Sequence, residues 1–169
     1  MTRVLWAGLA LLALLTGPVY AQGAGTIVAG QQIGGVRIGG SVTDAVSVAG
    51  SLYNQVDSKS GKYTLYEWPL RPFIMIAEKE SGRIVLVVVT LSDAYQTDKG
   101  SVTGGSERAV VEAAYGREFT AEEDETSTTM IYDPQGIAFD VGKRGAMSGR
   151  VTQIIVFTPG RWKAITESL

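Results

Sequence analysis

Two of the side chains that carry most polar protein chemistry are missing from this 169-residue chain, which has no histidine and no cysteine. A Ser-His-Asp or Cys-His nucleophile therefore has no base to activate it. Haem ligation by histidine and nearly every ordinary transition-metal site are excluded with it. Carboxylate, lysine, tyrosine and backbone chemistry remain. Asp133 and Asp140 flank one expected hairpin and are the candidates for a carboxylate-dependent hydrolase, which needs two acids at a fixed separation in a cleft. Nothing distinguishes them from turn and edge residues. The run from Glu118 to Glu125 holds Glu118, Glu122, Glu123, Asp124 and Glu125. Its consecutive carboxylates point in different directions with no glycine turn to organise them, so a solvated loop is the plain reading. Calcium ligation and attraction of a basic partner are the functional ones.

The glycines invite a search for phosphate sites. Gly136-Ile137-Ala138-Phe139-Asp140-Val141-Gly142-Lys143 is one residue too long for a phosphate loop, and Arg144 stands where Ser or Thr is needed. Its alternation reads as a strand, whereas the phosphate loop is a strand-to-helix turn. Gly34-Gly35 and Gly39-Gly40 do not have the dinucleotide spacing. A Gly-Gly-Ser step before a helix could hold an anion on free N–H groups, but its serine already supplies a cap. No cofactor is expected. The aromatics point toward binding instead. Tyr66 and Trp68 share one face of an expected strand, Tyr63 lies on the other, and only one face is expected to be core. Arg71 sits in the adjacent loop between Pro69 and Pro72. Tyr, Trp and Arg are the types enriched in binding hot spots, so Tyr66, Trp68 and Arg71 form the candidate contact surface, with cross-strand packing as the structural alternative. Tyr115 and Tyr132 read as core or sheet residues.

A phrase given twice positions these residues. Gly39-Gly40-Ser41 and Gly104-Gly105-Ser106 lie about 65 residues apart, a repeat-scale period, and each precedes an apolar stretch. Ser41 is the expected N-cap of a helix over 42–49, with Asp44 completing a capping box and Gly50 ending it. Ser106 is the expected cap of a second helix, 107–115, ended by Gly116. Residues 51–61 read as a polar connection with further helix near 52–56. Strands are expected over 62–68, 73–77 and 83–91, and again over 130–132, 136–141 and 150–157. Ile84 to Val89 is apolar on both faces, so it belongs in mid-sheet with cover on each side. The expected fold class is α+β, a tandem repeat of a short helical segment followed by antiparallel strands. Repeat 1 covers 33–93 and repeat 2 covers 94–157, after a flexible lead-in over 22–32 that has a short strand near Ile27-Val28. A tail, 158–169, lies outside the repeat. One such sheet is too apolar for one short helix to cover, and fusing two halves, as one sheet or two lobes, buries the excess.

The phrase Tyr95-x-Thr97-x-x-Gly100, Gly104-x-Ser106, Ala114-Tyr115-Gly116 and the doubled plan over 33–157 resemble exported bacterial tandem-repeat proteins. Their fold is that of the β-lactamase-inhibitor protein and the SmpA/OmlA outer-membrane-assembly lipoproteins. The resemblance implies a non-catalytic module that binds another envelope or secreted protein.

Export is also read from the residues. Arg3, the apolar run Val4–Leu15, the Thr16-Gly17-Pro18 break and Val19-Tyr20-Ala21 read as a signal peptide, 1–21. The run is shorter than the ~20 residues of a membrane span, and no cysteine follows it for lipid attachment. Its removal leaves 148 residues with 14 basic and 17 acidic side chains, net −3, and so no basic field for nucleic acid. No stable membrane span is expected after cleavage. The expectation is a periplasmic or secreted protein-binding or inhibitor-like module. A small-molecule or glycan site in a cleft between the repeats is the alternative, and a hydrolase comes third.

Overall fold

Thr26-Ile27-Val28 is β-branched throughout, and strand structure begins there. The structure, a computed structural model, describes residues 25–169; the signal peptide expected over 1–21 lies outside them. β1 (Gly25–Val28), β2 (Gln32–Ile33) and β3 (Val36–Arg37) run antiparallel in sequence. Gly34 and Gly35 form the turn between β2 and β3 with φ of 55° and 92°, the doubly left-handed turn that matches strand twist. α1 (Val42–Ala49) follows, and the Ser41 hydroxyl accepts from the Asp44 amide at 3.1 Å, as the capping pattern predicts. Gly50, at φ 100°, ends the helix and returns its N–H to the Val46 carbonyl.

An antiparallel meander comes next: β4 (Asn54–Asp57), β5 (Tyr63–Trp68), β6 (Phe73–Glu78) and β7 (Ile84–Thr90). β8 (Tyr95–Thr97) returns to pair with β1 in parallel. Then α2 (Arg108–Tyr115) precedes a second meander of β9 (Thr120–Glu123), β10 (Ser127–Tyr132), β11 (Ile137–Gly142) and β12 (Val151–Phe157). α3 (Trp162–Thr166) follows β12.

The strands make two sheets. The small one has the order β3-β2-β1-β8, and the large one β4-β5-β6-β7-β12-β11-β10-β9. β7 and β12 meet at the centre, antiparallel, in five register pairs from Leu86–Phe157 to Thr90–Gln153. The fold is α+β, with both meanders in one continuous sheet. α1, α2 and the small sheet cover one face, closing a core with Met75, Val87, Met130 and Phe139. α3 packs on the other, where Trp162 and Ile165 join Ile76, Leu86 and Phe157. The six residues Ile84–Val89 of β7 are all buried, as a two-sided apolar strand must be.

Several expectations are corrected here. Residues 54–57 form β4 rather than helix, and 120–123 form β9 within what reads as an acidic loop. Both are edge strands exposed along their whole length, so neither carries an apolar alternation. Ser106 does not cap α2: Glu107 holds that position without a side-chain bond, while the Ser106 hydroxyl accepts from Thr103 N at 3.0 Å. Gly39 (φ 79°) corresponds to Gly105 (φ 88°), and the bridge Ser41–Arg83 to Glu107–Arg150. The two Gly-Gly-Ser phrases are therefore one residue out of step. Like contacts recur in both halves: Lys79 pairs with Asp57 at 2.5 Å, and Lys143 with Glu123 at 3.0 Å.

Candidate interaction surface

Side chains alternate along each strand of the large sheet, so each strand feeds both faces. Trp68, Phe73 and Met75 go to the helix-covered face, while Tyr63, Leu65 and Ile74 go to the other. Both faces are core, contrary to the expectation that only one could be.

Trp68 illustrates the consequence. It is 2% exposed, and its indole N–H donates to the carbonyl of Gly50, the residue that ends α1, at 2.8 Å. Tyr53 and Phe73 pack on its ring at centroid distances of 5.5 and 5.7 Å. A similar bond is made behind α2 by another residue type. The Tyr132 hydroxyl donates to the carbonyl of Gly116, behind α2, at 2.7 Å, and Phe119 packs on its ring at 5.7 Å. Burial, with the Glu112 charge adding to it, pushes the Tyr132 phenol up to about 12. Trp68 thus fastens a helix to the sheet and is unavailable to a partner. Tyr66 is half-buried on the same face, edge-on to Tyr53 at 5.5 Å, and burial raises its phenol pKa. Arg71 alone of the three candidates is exposed.

The open surface lies on the other face. Register places Glu67, Ile74, Val88 and Ile155 in one row across the sheet. The C-terminal segment crosses beside this row. The indole N–H of Trp162 donates to Glu122 on β9 at 3.0 Å, and the Leu169 carbonyl accepts from Lys59 N at 3.0 Å near the opposite edge. Leu65, Ile74, Thr90, Gln153 and Asp140 remain half-exposed. At the end of the sheet beyond them, Leu52, Leu70 and Leu91 are 70%, 82% and 55% exposed. Leu91 has φ 34°, a left-handed conformation that is costly for a leucine. Sequence reasoning misses this surface because its aliphatic residues look like ordinary core. The signal that could find it is Leu70 between two prolines.

The candidate acids do not converge. Asp133 accepts from the Trp162 amide at 3.2 Å, and Asp140 from the Thr129 hydroxyl at 2.5 Å. Among the described residues no group of three or more acids is placed to hold a metal ion. The Gly39 and Gly40 amides are already bonded to the Ile84 and Arg37 carbonyls, so neither is free for an anion. The phosphate-loop look-alike is β11. Four shallow cavities of about 230 to 540 Å³ open on the surface, lined around α1, around Tyr115 and Tyr132, beside Lys62 and Arg161, and beside Gln31 and Gln32. None of these four spans the β7–β12 seam, where paired strands occupy the place of the expected cleft between halves. No helix among the described residues is long and apolar enough to cross a membrane.

Asp124, within the acidic run, organises a turn. The Asp124 carboxylate accepts from the amides of Thr126 and Ser127 at 2.6 and 2.7 Å and from both hydroxyls. These bonds hold its pKa at about 2, below the ~3.9 of an unfolded aspartate. Its contribution to stability is therefore complete above about pH 3.9 and is lost as the pH falls toward about 2. Carboxyl NMR is expected to give a midpoint near 2, and Asp124→Asn to flatten the stability profile in that window. A midpoint near 4 would contradict the turn geometry.

No family model matches the chain, and no curated protein matches it. Solved structures similar to it include the following two. One is the uncharacterized protein yfeY from Escherichia coli, with TM-score 0.55 and 13% identity, covering 77% of this chain and 98% of that one. The other is a cysteine-rich secretory protein from Staphylococcus aureus subsp. aureus Mu50, with TM-score 0.51 and 15% identity, covering 78% of this chain and 47% of that one. At such identities the likeness is one of fold.

Proposed function

We propose that the chain is a non-catalytic, protein-binding or inhibitor-like module of the periplasm or the secreted space. In this reading it is built from two copies of one folding unit, with the unit of the β-lactamase-inhibitor and SmpA/OmlA-like proteins that its motifs resemble. The carrying observation is the half-open face of the large sheet, with Leu65 and Ile74 half-exposed on it and Leu52, Leu70 and Leu91 exposed at its end. An apolar surface of this kind, rimmed by polar groups, fits a protein partner. The absence of histidine and cysteine and the dispersal of the acids favour binding over catalysis. The leader supports an exported partner, and the matching latches at Gly50 and Gly116 support duplication.

A photoactivatable cross-linker at Ile74 tests this in cells that make the full chain. It is expected to give a discrete adduct that the same probe at Thr43, on the exposed side of α1, does not give. Identical patterns from the two positions would remove the surface from consideration.

A further inference from the structure

We propose that β4 is an interface strand along which a second copy of this chain pairs antiparallel, extending the large sheet across a twofold axis.

The two edges of that sheet are treated differently. β9 carries Glu122 and Glu123, with Glu118, Asp124 and Glu125 beside them. Lys143 pairs with Glu123, but the surplus of acids keeps this edge negative, and charge on an edge is a common guard against pairing. β4 has no such guard. Asn54, Gln55 and Val56 are uncharged and exposed, Val56 at 61%, and the one acid, Asp57, is neutralised by Lys79 at 2.5 Å.

Backbone direction fixes which groups are free. The Ser58 amide donates inward to the Tyr63 carbonyl at 2.9 Å, whereas the Lys59 amide turns away to Leu169. Residues of an antiparallel strand alternate in this respect. Asn54 and Val56 therefore bond to β5, and Gln55 and Asp57 present N–H and C=O outward. A second copy centred on Gln55 exchanges those groups reciprocally. Gln55 then faces Gln55, Asn54 faces Val56, and Tyr53 faces Asp57. No like charges oppose one another, so the edge is self-complementary under the symmetry that closed dimers use. This inference rests on none of the observations that carry the binding surface above.

Four substitutions test it in the chain without its expected leader (22–169), the first two by sedimentation beside the parent from about 1 µM to about 1 mM, a range set by weak-dimer energetics. The parent is expected to dimerise with concentration. Gln55→Pro removes only an outward amide, which an edge strand tolerates, so the dimer should weaken at least about tenfold at unchanged thermal stability. Val56→Lys should do the same. In this cysteine-free chain, Gln55→Cys should form a disulfide dimer on oxidation. Opposed Cα atoms lie ~5.5 Å apart, within disulfide reach, and Ala121→Cys on β9 should not cross-link. A parent that stays monomeric across the range overturns the proposal. So does a dimer untouched by Gln55→Pro and Val56→Lys, or equal cross-linking at 55 and 121.

Discussion

Trp68→Ala is expected to destabilise the fold by about 3–5 kcal/mol, the cost of deleting a large aromatic from a packed core. The indole is 2% exposed, touches Tyr53 and Phe73, and satisfies the Gly50 carbonyl at the end of α1. Its removal opens a cavity and leaves a carbonyl without a donor. Trp68→Phe separates the two effects, keeping most of the ring and losing the bond for about 1–3 kcal/mol. Urea unfolding monitored by circular dichroism gives both values. A loss below about 1 kcal/mol for the alanine variant would mean that Trp68 does not anchor the helix. Arg71→Ala, in the exposed turn three residues on, should leave the midpoint unmoved. The pair thus separates folding from surface recognition within one hairpin.

Gly136→Ala is expected to cost about 2–4 kcal/mol, combining left-handed strain with overpacking. Gly136 has φ 69°, and a Cβ there would lie 2.5 Å from the Phe157 carbonyl oxygen and 2.8 Å from Gly30 Cα. Both are backbone atoms that cannot swing aside. Its own carbonyl accepts from the amides of Gly30 and Phe157 at 3.1 and 2.9 Å, tying the lead-in to β12. Gly61→Ala is the control, because Gly61 has similar φ but open space around it. It should show the conformational cost alone, about 1 kcal/mol. Equal losses at the two sites would contradict the close approach at Gly136.

The parts of the fold legible in sequence are those whose signals are local. Ser41, Asp44 and Gly50 mark α1 to the residue, and the β-branched run in β7 marks a two-sided central strand. β4 and β9 escape because edge strands need not bury anything: Asn54-Gln55-Val56-Asp57 and Thr120-Ala121-Glu122-Glu123 lack alternation. β2 and β3, two residues each, are too short to carry a pattern. At Trp68 residue type alone cannot tell a latch from a contact. Its indole bond reaches back to a helix-ending glycine in another element, a relation that only tertiary structure creates. Tyr132 gives the same lesson in reverse: read as core, it is the counterpart latch. Arg71 and Leu70 lie where a proline-bracketed turn must leave them.

The seam between β7 and β12 also constrains the order of events during synthesis. β7 is complete by Thr90, yet its neighbour Val151–Phe157 is made only after α2 and the three other strands of the second meander. Until then the nascent sheet ends in a long aliphatic margin, the kind that sticks to other chains. Emergence of β12, rather than completion of the first meander, is thus the step that covers this margin.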